Sequence, residues 1–104
     1  MTPITELCQV IRSKNSGPYE LTLDLIFRRR EDYEKVKLAK ALTRSDIARL
    51  YKIPESDILN LVYFDPAKAI KATLRRPYPS GQVGERDVYG AQQHAPLLDL
   101  ELDI

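Results

Sequence analysis

The sequence is poor in the residues that most often do chemistry: it has one cysteine, Cys8, and one histidine, His94, among 104 residues. A single thiol excludes an internal disulfide and fits a reducing compartment. Zinc sites draw on several nitrogen or sulfur ligands, and only His94, Cys8 and carboxylates are on offer, so no metal and no cofactor are expected. Excess charge of one sign is missing too. Sixteen basic and fifteen acidic residues leave a net charge of +1, which removes the whole-molecule attraction expected of a general nucleic-acid or membrane binder. No apolar run approaches the roughly 18 residues that span a bilayer, and the start, MTPITELCQV, lacks the charged and apolar regions of a signal peptide. A cytoplasmic protein is the expectation.

What is present is a 43% hydrophobic chain, long enough for one core and too short for two, so residues 1–104 read as one domain burying roughly two-thirds of its unfolded surface. TELCQVIRSKN alternates, with Leu7, Gln9 and Ile11 on one face and Cys8 and Val10 on the other, and predicts a first strand. ELTLDLIF alternates more cleanly, Leu21, Leu23, Leu25 and Phe27 against Thr22, Asp24 and Ile26, and predicts a strand with one buried face. EDYEKVKLAKAL places Tyr33, Val36 and Ala39 or Lys40 at helical spacing, with acids in the first turn and lysines toward the end. TRSDIARLY predicts a second helix, capped by Thr43 with Asp46 three residues on. DILNLVYF and AIKATLRR are two strands joined at DPAK as a hairpin. A loop of about fifteen residues follows, RPYPSGQVGERDVYG, and LLDLELDI reads as a last strand with one apolar and one acidic face. The fold class is α+β, a mostly antiparallel sheet with two helices on one face.

Two segments concentrate polar chemistry. RSKNSGP, Arg12 to Pro18, reads as a turn between the first two strands. Arg12 and Lys14 offer cationic donors, Ser13 and Asn15 hydrogen bonds, and Gly17 a backbone free to turn its amides outward, the ingredients of a nest for a carboxylate or phosphate. An ordinary polar turn uses the same residues. In YGAQQHAP, His94 has a near-neutral intrinsic pKa and is the candidate general acid or base. Gln92 and Gln93 both donate and accept, which suits orienting a polar substrate or pinning a loop. Cys8 has no base beside it and reads as a small buried hydrophobe. LTRSDIARLYKIPESDILNL imitates a helix-turn-helix, yet its second half offers two acids and a β-branched and aromatic run in place of base-reading side chains, so nucleic acid is not the expected partner.

IRSKNSGP, FDPAKAIKATLRRP and DVYGAQQHAPLL together resemble the bacterial family catalogued as domain of unknown function 4387, over nearly the whole chain. The order of elements is more distantly similar to the small ferredoxin-like domain of the AtuA-type acyclic terpene utilisation proteins. The resemblance implies a ferredoxin-like fold and a small subunit serving a larger AtuA-like protein in acyl-CoA or organic-acid catabolism, part of a lyase- or hydratase-type enzyme and not a catalyst alone. It implies Arg12, Ser13, Lys14, Asn15 and Gly17 as one ligand site, and Tyr89, Gly90, Gln92, Gln93 and His94 as another. A non-catalytic homo-oligomeric binding module is the alternative. One packing expectation completes the reading: Lys71, Thr73 and Arg75 in one strand face Asp99, Glu101 and Asp103 in the last, and that pairing sets where His94 points.

Overall fold

The period-2 pattern of ELTLDLIF builds the strand around which the rest is arranged. In the computed structural model, which describes residues 1–17, 19–75 and 95–104, this strand is β3, Glu20–Phe27. Thr2–Pro3 is a short strand, β1, followed by a single helical turn, α1, Ile4–Leu7. Ile4 and Leu7 are both buried, and a three-residue spacing brings two side chains to one side of a helical turn but to opposite faces of a strand. The first long strand therefore begins later than the alternation suggested. It is β2, Cys8–Gly17, with a register irregularity between Cys8 and Val10 that lets Cys8 oppose Phe27 and Ile11 oppose Leu25, both toward the core.

Helix α2 spans Arg30–Ala39 with Glu31 and Asp32 in its first turn, and α3 spans Arg44–Tyr51. A capping box starts α3: Thr43 N–H donates to Asp46 Oδ2 at 2.9 Å, and Asp46 N–H to Thr43 Oγ1 at 3.4 Å. The hairpin follows as expected, β4 Ile58–Phe64, a 3-10 turn over Asp65–Ala67, and β5 Ala69–Arg75. Strand β5 lies between β3 and β4, giving a fully antiparallel four-stranded sheet in the order β2-β3-β5-β4. The α+β class and the antiparallel sheet stand. Among the described residues, the four-stranded sheet is built from a hairpin, two helices and a second hairpin, with β1 and α1 before them.

Two expectations are corrected. Arg12 to Gly17 is not a turn; the segment is the second half of β2, with Ser13 opposite Leu23 and Asn15 opposite Leu21. Residues 97–104 are not one long strand paired with β5. Ala95–Asp99 is a 3-10 turn, and only Glu101–Leu102, β6, pairs, with β1. The apolar spacing explains it: Leu97 and Leu100, three apart, are buried as a 3-10 turn demands, while Leu98 and Ile104 are exposed.

The core fills one side of the sheet. Leu21, Leu23, Leu25 and Phe27 of β3 and Ile70, Ala72 and Leu74 of β5 meet Tyr33 and Val36 of α2, Ile47 and Ala48 of α3, and Leu97, Leu100 and Leu102 from the C-terminal segment. Tyr33 packs its ring edge against Phe27, centroids 5.8 Å apart.

Candidate functional site

Strand alternation decides which polar side chains can meet. Because Arg12 and Lys14 point one way and Ser13 and Asn15 the other, the five residues of the proposed nest do not converge. Ser13 sits on the core side and is buried. Arg12 and Lys14 lie on the opposite face, which carries none of the core leucines.

That open face has a definite pattern across its strands. One row runs Arg12, Asp24, Lys71, Val62, and a second Val10, Ile26, Ala69, Phe64. Asp24 is buried at the centre of this face, between Arg12 and Lys71. Its Oδ2 accepts from Arg12 Nε at 2.9 Å. Its Oδ1 has no hydrogen-bond partner among the described residues, and leaving such an oxygen desolvated costs about 1–3 kcal/mol. Lys71, directly across from Asp24, places its ammonium 5.1 Å from the centroid of the Phe64 ring instead. Val62 and Phe64 are 46% and 42% exposed, large apolar side chains on the edge strand β4 beside Lys71. Arg75, in the same strand as Lys71 and on the same side, is only loosely held, 3.9 Å from Asp57.

At the far end of the hairpin, Asp65 gathers donors from α2. Tyr33 Oη donates to Oδ1 and Lys37 Nζ to both oxygens at 2.9 Å, while Arg30 Nη2 reaches the Asp65 carbonyl at 3.0 Å. The hydrogen bonds from Lys37 and Tyr33 hold the Asp65 carboxyl below its usual range, and the same contact raises Lys37. Burial, then the bond to Asp65, raises the Tyr33 hydroxyl. The cluster ties the turn to the helix.

Cys8 is buried, and burial pushes its thiol up to about 12, outweighing the opposing pull of Arg28. It packs as a hydrophobe and carries no thiolate at neutral pH. Tyr89, Gly90, Gln92, Gln93 and His94 lie outside the described residues, and with the last segment paired to β1, the β5 pairing no longer positions His94. Among the described residues, no group of three or more histidines, cysteines or acids is placed to hold a metal, and no helix is long and apolar enough to cross a membrane.

The residues missed in the sequence are Asp24, Val62, Phe64 and the role of Lys71. Their signal was present but split: an acid in the middle of a strand, and cations in another, become one row only when β3 and β5 are known to be neighbours. No curated protein and no solved structure matches the chain. A family model does match, over residues 4–101, from β2's preceding helical turn to the final strand, and the chain belongs to the family described as Domain of unknown function (DUF4387).

Proposed function

We propose that the protein is a small accessory subunit, not catalytic alone, that docks through the open face of its four-stranded sheet onto a larger protein. The observation that carries this reading is the one-sided sheet, whose second face presents exposed Val62 and Phe64 next to Lys71 at one edge, with Arg12 and Lys14 at the other edge. Aromatic side chains and arginine are the residues that interfaces favour, and exposed apolar anchors that become fully desolvated are how hot spots are built. The resemblance to AtuA-type proteins supplies the class of partner, a larger AtuA-like protein of acyl-CoA or organic-acid catabolism.

On that partner the cations would meet acidic side chains or the anionic group of a bound carboxylate or phosphate ester. A second copy of this chain suits the face less well, because it would set one cationic surface against another. Co-purification from the native host, followed by size-exclusion chromatography with light scattering, tests the proposal. The unmodified chain should elute with the larger AtuA-like protein. The double variant Val62→Ser and Phe64→Ser should fold and elute alone, a loss of at least about 2 kcal/mol of binding, the scale of an interface hot spot. A lone monomer with turnover of its own would overturn the subunit reading.

A further inference from the structure

We propose that the corner where α2 gives way to α3 is a binding site for a small organic carboxylate with an apolar body. The site is separate from the open sheet face, and the inference does not rest on the subunit reading. A cavity of about 420 Å³ opens there, lined by Lys37, Lys40, Leu42, Arg44, Leu61 and Tyr63 together with Thr43. That is within the roughly 300–1,000 Å³ of small-ligand sites.

Its floor is apolar. Leu42 is buried, and Leu61 and Tyr63, half-buried on the core side of β4, extend past the end of the helix pair. The Tyr63 hydroxyl is already spent, donating to the Leu42 carbonyl at 2.8 Å, so the ring and not the phenol is what a guest would touch. The rim is cationic. Lys37 and Lys40 come from the last turn and the end of α2, and Arg44 opens α3.

The charges on this rim are unevenly satisfied, and the difference selects the ligand. Lys37 is held by Asp65, both oxygens at 2.9 Å. Asp46, beside Thr43, is taken by the capping box and by Arg49 at 2.7 Å. The side chains of Lys40 and Arg44 make no ion pair or hydrogen bond among the described residues. Two spare positive charges thus stand beside an apolar floor. An inorganic anion would leave the floor unused, and a neutral hydrocarbon would leave the cations unused. A carboxylate with a short apolar chain uses both.

An amide NMR titration of the full chain with hexanoate tests this, with hexanamide as the uncharged isostere and acetate as the headgroup without its chain. Hexanoate should shift Leu42, Thr43, Arg44, Leu61 and Tyr63 saturably, with hexanamide and acetate binding several-fold more weakly. Replacing both exposed cations, Lys40→Gln with Arg44→Gln, should weaken hexanoate roughly tenfold, the sum of two exposed ion pairs, at an unchanged melting temperature. Raising the salt on the unmodified protein needs no variant and should weaken hexanoate while leaving hexanamide alone. Equal binding of hexanoate and hexanamide, saturable shifts elsewhere on the chain, or no saturation at these residues would overturn the site.

Discussion

At the scale of single residues, Asp65 does the most to join distant parts of the chain. It was legible as a turn former, since Asp-Pro favours the first positions of a type I turn, but its partners Tyr33 and Lys37 lie 32 and 28 residues away and no local pattern announces them. Tyr33→Phe keeps the ring packed on Phe27 and removes the bond to Asp65, and should cost about 1 kcal/mol, read as a melting temperature lower by about 4–8 °C. Asp65→Asn has a pH signature. Because the folded carboxyl is held below its ordinary value of 3.8, its contribution is complete above that value and is lost as pH falls through the lower, folded one. The variant should therefore be less stable than the parent at neutral pH, with the gap closing in acid. Thermal melts across the acid range check it, and a constant gap would place the stabilisation elsewhere. Lys37, held above 10.5 by the same contact, adds an alkaline limb that fades as pH rises through its folded value.

Among the elements, starts were more legible than stops. Thr43 and Asp46 advertise a helix start by side-chain chemistry alone, and the capping box forms as read. Both helices end on a lysine in the left-handed region, Lys40 at φ 49° and Lys52 at φ 57°, where glycine is the usual signal. The stop comes instead from the residue after: Ala41 N–H bonds the Val36 carbonyl, Ile53 N–H that of Ala48, and both apolar side chains pack on the core. Without a glycine to mark it, α2 read three residues too long. The same gap gives a prediction. Among the described residues the Lys52 side chain makes no hydrogen bond or ion pair that holds its backbone there, so Lys52→Gly should relieve the left-handed cost and raise stability by about 0.5–1 kcal/mol, net of the glycine's extra chain entropy; denaturant midpoints measure it, and a fall would show that the lysine side chain matters. RSKNSG misled for the opposite reason. Its residues are all turn formers, yet Leu21 and Leu23 across the hairpin give Asn15 and Ser13 strand partners, and tertiary pairing overrode local preference.

For the whole molecule, the two ends of the described chain meet, and this was the least legible feature of all. Alternation in LLDLELDI pointed to one more ladder beside β5, but β5 is already flanked by β3 and β4. The segment is used in pieces: Ile4 N–H donates to the Leu100 carbonyl at 2.8 Å, Thr2 Oγ1 to the Ile104 carbonyl at 3.0 Å, and Leu97, Leu100 and Leu102 enter the core beneath α1 and α3. The acids between them, Asp99, Glu101 and Asp103, are exposed and form no ion pair among the described residues. Two substitutions in neighbouring residues therefore separate the observed arrangement from a charge ladder. Leu102→Ala empties a 1% exposed core position and should cost about 2–5 kcal/mol. Glu101→Lys, one residue earlier in the same two-residue strand, should change stability by less than about 0.5 kcal/mol, and so should Asp99→Lys and Asp103→Lys. Chemical denaturation of the four variants decides between them. A large loss on charge reversal, recovered by acids at Lys71 and Arg75, would restore the ladder beside β5 and break the pairing of β1 with β6; a large loss confined to Leu102→Ala fixes the chain ends together through their leucines.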